Sequence, residues 1–213
     1  MQDDRNLAVA TPGDPAGRRL GAVALACTVA FALVAFALQF ARGDLDWIRA
    51  PLSFYLVGPW GAALQAAYCA LGVGLAALAV GLYRNSQAHA RSGAPVLLFV
   101  AAGVALMVTA LAHTNLPSRP PTLQGWLHGV AAQTAFLCVT TAMLLQAAWF
   151  RRDRFWRAHA RGALSLAAVA FVAVWVLAFW RAAPRGLAQK CVIAIIVAWL
   201  ALAAWRLWRR PAE

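Results

Sequence analysis

Leu111-Ala-His-Thr-Asn-Leu-Pro-Ser-Arg-Pro-Pro-Thr-Leu-Gln-Gly-Trp-Leu-His-Gly129 is the stretch on which the reading of this chain turns. It gathers two histidines, an asparagine, three prolines, a glutamine and two glycines inside an otherwise apolar sequence. Apolar runs flank it on both sides, each of about the 20 residues needed to cross a bilayer. Polar backbone and side chains between two such runs are excluded from lipid, so they must meet at one membrane face.

Working outward, the same alternation covers the whole chain. Of its 213 residues 63% are hydrophobic and 12% charged, where a soluble domain carries roughly 25% charged residues. Apolar runs predict helices over about 20–41, 53–83, 94–113, 123–150, 162–180 and 191–208. The second run is long, and Pro59 near its start should bend it or mark where the regular helix begins. The run from Leu20 exceeds the ~7–15 residues of a signal h-region, so it reads as a membrane span. The expectation is an all-α integral membrane bundle of six transmembrane helices over residues 18–210. A disordered cytoplasmic tail, 1–17, precedes it, and a short tail, 211–213, follows.

A net charge of +12 would suggest nucleic acid in a soluble protein. Here the basic residues sit at the ends of apolar runs, which is the pattern of topology and of contact with anionic lipid headgroups. No nucleic-acid-binding motif accompanies the charge, so nucleic acid is not expected as a partner. In the six-helix arrangement, 13 of the 19 Lys and Arg residues fall on the side of the termini and 6 on the other. Both termini are therefore expected in the cytoplasm, with the stretch at 111–129 facing outward from a bacterial-type inner (plasma) membrane. Trp47, Trp60, Trp126, Trp149, Trp156, Trp180, Trp205 and Trp208 lie near predicted helix ends, as an interfacial aromatic belt requires. Cys27, Cys69, Cys138 and Cys191 share no short motif and read as small apolar residues. The sequence leaves room for a partner protein or a homo-oligomer.

Chemistry should concentrate at the outward face. His113 ends the third predicted helix and His128 opens the fourth at similar depth. The first outer loop delivers Asp44, Asp46, Ser53 and Tyr55 to the same face. Gln124 and His128 are four residues apart and share one helical face, and Asn115 lies between the helices. The predicted helix interiors hold no Asp, Glu, Lys or Arg, which argues against a proton-coupled pump. The milder polar residues inside, among them Gln65, Tyr68, Thr109, Thr140 and Gln146, suit helix-to-helix hydrogen bonds.

Three readings of the histidine pair stay open. They cap helix ends; or, with Asp46 or Asp44, they hold a zinc-like ion that activates water; or they clasp a haem or form an acid/base pair. Haem suits the pair poorly, since a ring so near the outer loop would stand half exposed.

At Pro51-Leu-Ser-Phe-Tyr-Leu-Val-Gly58, His113-Thr-Asn115 and Gly125-Trp-Leu-His-Gly129, the chain resembles the bacterial six-helix membrane family known as domain of unknown function 998. The resemblance would cover about Arg19 to Trp208. It implies the six-helix architecture and puts Ser53 and His128 at the family's polar positions. Relatives often carry an acidic residue just after the third helix, where His113 or Asn115 stands here. A more distant likeness is to ceramidase-type membrane hydrolases, but those have seven helices and further histidines, and this chain has none after His159.

The leading expectation is an outward-facing cluster of Ser53, His113, Asn115, Gln124 and His128 that binds a lipid headgroup or small ligand. The alternatives are a metal-dependent membrane hydrolase of lipid substrates, with Asp46, His113 and His128 as ligands, and an accessory or structural membrane subunit.

Overall fold

The computed structural model describes residues 14–117, 120–180 and 182–211. These form six helices and no strands. They are α1 (Pro15–Ala41), α2 (Gly61–Arg84), α3 (Gly93–Leu111), α4 (Leu123–Phe150), α5 (Arg157–Phe179) and α6 (Arg185–Trp208), all long and apolar enough to cross a membrane. Successive helices pack side by side and α6 closes back on α1, so the bundle is a ring in chain order. One end, here termed the histidine end, carries residues 42–60, 112–117, 120–122 and 182–184 between helices. The other carries both described termini.

Helix boundaries follow local chemistry. At α1, Asp14 accepts the Ala16 N–H at 3.0 Å and Pro15 takes the first helical position, where its missing N–H and fixed φ cost nothing. Residues 15–17, expected in the tail, are thus helical, while 1–13 and 212–213 lie outside the described residues. Both α5 and α6 begin about one and a half turns before their apolar runs, at Arg157 and Arg185. The long second run breaks in two: a short 3-10 turn spans Leu52–Leu56, and α2 starts only at Gly61. Between them Gly58 (φ 86°) and Trp60 (φ 63°) adopt left-handed backbone around Pro59, which a bulky residue such as Trp60 enters at a cost.

The ring closes tightly where side chains vanish. A Cβ added to Gly72 on α2 would lie 2.8 Å from the Gly103 carbonyl oxygen on α3, and one on Gly103 would lie 2.6 Å from that of Gly72. The two backbones therefore touch, as small residues permit where lipid offers no hydrophobic drive. At the end with the termini, Phe150 stacks on Trp156 at 4.2 Å and on Trp199 at 6.3 Å, with Phe99 6.1 Å from Trp199. Trp156, expected in the interfacial belt, is instead buried beneath the α4–α5 turn.

Two of the polar residues expected to bond between helices, Thr109 and Thr140, bond locally instead. The Thr28, Thr109 and Thr140 hydroxyls donate to the carbonyls of Ala24, Ala105 and Phe136, four residues back on their own helices. With no water to compete, that carbonyl is the nearest acceptor a helical threonine has. Trp199 Nε1 does cross between helices, donating to Ala163 at 2.9 Å.

Candidate functional site

The residues expected to cluster at the histidine end separate into two groups. The first builds the corner between α3 and α4. Helix α3 stops at Leu111 and Ala112 is extended, so His113 leaves the helix. The Thr122 hydroxyl accepts the Gly125 N–H at 3.0 Å and caps α4. Asn115 Oδ1 accepts both the backbone N–H and the hydroxyl of Thr122 at 3.0 Å. Gly125 leaves room for this, because a Cβ there would overlap the Asn115 side chain. His113 Nδ1 lies 2.8 Å from the Gln124 side-chain amide, within hydrogen-bond distance. Asn115 and Gln124 thus organise the corner, with His113 held at its rim.

The second group lies deeper. His128 is buried, and its Nδ1–H donates to the Ala112 carbonyl at 3.0 Å. That bond fixes the tautomer: neutral His128 presents a lone pair on Nε2. Ser53, in the 3-10 turn, shares a cavity with it. Gln189, one turn into α6, completes the set, its Oε1 accepting the Leu52 N–H at 2.9 Å. With the oxygen committed to that backbone donor, both amide hydrogens of Gln189 remain free to donate.

These three residues form the polar end of a central cavity of about 80 Å³. Its walls come from α1, α2, α3, α4 and α6. On α4 they are His128, Ala132, Ala135, Phe136 and Val139, and on α6 Gln189, Ile193, Ile196, Val197 and Leu200. The two series have the same spacing, an i, i+4, i+7, i+8, i+11 stripe that keeps one face of each helix toward the cavity. Tyr68 and Thr109 add the polar atoms further in. At a rise of ~1.5 Å per residue, Leu200 lies about 16 Å below Gln189 along α6.

The acidic residues of the first loop are occupied within it. Asp44 pairs with the buried Arg42 at 2.7 Å, and Arg42 also donates to the carbonyls of Val57 and Pro59. The Arg42 guanidinium holds the Asp44 carboxyl below the usual carboxylate range. Asp46 Oδ1 accepts the Ile48 N–H at 2.9 Å and lies 3.4 Å from the Arg49 nitrogen. No three His, Cys, Asp or Glu side chains gather at one point among the described residues. Buried Tyr55, beneath the loop, is flanked by Arg42 and by Lys190, 5.0 Å from its ring centre, and burial pushes its phenol up.

Gln189 is the site residue that the sequence reading missed. It fell in a stretch expected to be loop, because Arg185 and Lys190 interrupt the apolar run. Pro184, preceding the helix, was the available signal.

A ring of apolar helices around a narrow cavity with a polar mouth is a multi-pass membrane protein. The family model described as "Protein of unknown function (DUF998)" matches residues 25–206, and the chain belongs to that family. Neither the curated proteins nor the solved structures yield a match.

Proposed function

We propose that the bundle binds an amphipathic small molecule of the membrane-lipid kind. Its polar head would lie among Ser53, His128 and Gln189, and its apolar part in the central cavity. The observation that carries this reading is the composition of that cavity: hydrogen-bonding groups at one end, and Leu71, Leu75, Ile193, Ile196 and Leu200 along its depth. Donor and acceptor are both on offer at the mouth, and an apolar shaft with few placed polar groups is the usual form of a small-molecule site. His113, Asn115 and Gln124, expected to touch the ligand, serve instead as the frame that sets His128 and the rim. The distribution of Lys and Arg supports termini in the cytoplasm and a mouth on the outer side of an inner membrane.

The test is ligand-dependent thermal stabilisation of the detergent-purified protein against a panel of lipids. A ligand at 100 times its Kd should stabilise by about 2.7 kcal/mol. Ala135→Phe would fill the cavity and should abolish the effect with helicity and elution volume unchanged. Equal stabilisation of the wild type and Ala135→Phe by every lipid would overturn the assignment.

A further inference from the structure

Resting on the binding site just proposed, we infer that the ligand is a single-chain amphiphile with an anionic head, and that it enters sideways from the bilayer between α4 and α5. The first observation is a second volume of about 500 Å³, lined by Phe136, Leu137, Val174, Trp175, Leu177 and Ala178 among others. It shares Ser53, His128, Ala132, Phe136 and Gln189 with the central cavity. The groove and the cavity therefore meet at the polar mouth.

The second observation is the position of α5. No α5 residue lines the central cavity. Its buried residues are Ala160, Ala167, Ala170 and Val174. Beyond Val174, toward the histidine end, none of its side chains is buried. This helix is fully buried against the bundle only as far as Val174, the eighteenth of its 23 residues; beyond it Leu177 is half-buried, and the last turns form one wall of the groove at the level of His128. In a bilayer that groove faces acyl chains, so the chain of a lipid has a path that never leaves the apolar phase while its head stays at the level of the mouth.

Charge selects the head. Arg185, exposed in the first turn of α6, lines the groove beside Ser53, His128 and Gln189. It makes no hydrogen bond or ion pair with any described residue, and no Asp or Glu lines either volume. The full charge at the mouth is positive, and the Gln189 amide and Ser53 hydroxyl add donors. An anion satisfies this set, and a charge-assisted bond from Arg185 to a carboxylate is among the stronger contacts available.

Size selects the tail. One water needs roughly 10–15 Å³ of such space, so a cavity of about 80 Å³ has room for about six waters. That is room for part of one hydrocarbon chain, with the rest of it in the groove, and the second chain of a paired-chain lipid finds no place in the cavity.

The experiment measures equilibrium binding of tritiated oleate to the purified full chain in nanodiscs. Unlabelled oleate, oleyl alcohol, oleylamine and dioleoyl phosphatidic acid serve as competitors. Oleate should bind saturably at one per chain. Oleyl alcohol, oleylamine and the two-chain phosphatidate should each compete about tenfold or more weakly. Arg185→Gln should weaken oleate about tenfold and leave oleyl alcohol unchanged. Ala178→Trp, placed in the groove and outside the cavity, should slow association about tenfold with little change in affinity. Equal competition by oleyl alcohol together with a neutral Arg185→Gln would overturn the anionic head. Equal competition by the phosphatidate would overturn the single chain, and unchanged association in Ala178→Trp the lateral path. In each of those cases Ala135→Phe would still abolish binding. Absence of binding by every chain-bearing probe, with Ala135→Phe silent, would instead defeat the underlying site.

Discussion

Gly103→Ala is the smallest perturbation that reaches the packing of the ring. The added methyl would lie 2.6 Å from the Gly72 carbonyl oxygen, 0.8 Å short of the 3.4 Å at which ordinary contact begins. Its neighbour is backbone, not the end of a side chain, so no rotamer change relieves it. Helices α2 and α3 must separate or slide, loosening contacts along the shared face. Overpacking of this kind costs about 1–3 kcal/mol. Taking about 2 kcal/mol, a chain of this size loses roughly 4–8 °C in Tm. Gly162→Ala is the control: a Cβ there meets nothing within 4 Å, and removing a mid-helix glycine should raise stability by about 0.5–1 kcal/mol. The assay is thermal unfolding followed by circular dichroism in one detergent. If Gly103→Ala melts with the wild type, the backbone contact between α2 and α3 is not part of the fold.

Thr122→Ala removes the cap of α4 and one of the two donors to Asn115, and should lower stability by about 1 kcal/mol in the same assay. Arg42→Ala leaves the Val57 and Pro59 carbonyls without their charged donor and should cost about 2 kcal/mol, measured by loss of protease resistance in the 42–60 loop. Acid should act through the same arginine. The Asp44 carboxyl has a lower pKa folded than unfolded because of Arg42. Its stabilisation is therefore complete above the unfolded value near 3.9 and fades as pH falls through the folded one. The melting difference between wild type and Asp44→Asn should accordingly shrink below about pH 4, and a difference that grows on acidification would refute the pairing. Asp14, lowered by its hydrogen bond from Arg84, follows the same sign.

What the sequence made legible follows from what apolar runs measure. The α4 limits, Leu123 to Phe150, coincide with the reading because Thr122 caps one end and Arg151 follows the other. The starts of α5 and α6 were placed too late because a hydropathy criterion finds the hydrocarbon-crossing part of a helix, and these two extend their first turns through Arg157 and Arg185. That error hid Gln189. The sequence puts His113 and His128 at similar depth, and their difference was not legible: a break at Ala112 leaves one imidazole exposed at the rim and gives the buried other a carbonyl to hold. Asp46 could not be placed from sequence either, since the course of its loop is set by two left-handed residues and by bonds to its own backbone.

The most direct test of the account is to map where a bound chain lies. A fatty acid with a photoreactive diazirine near its methyl end should be equilibrated with the purified protein in nanodiscs, illuminated, and located by peptide mass spectrometry. The account predicts adducts on the facing stripes of α4 and α6, at residues such as Phe136, Val139, Ile193 and Ile196, that excess unlabelled oleate suppresses. Labelling confined to outward-facing positions such as Leu97, Val104 and Leu202, and insensitive to competitor, would contradict it.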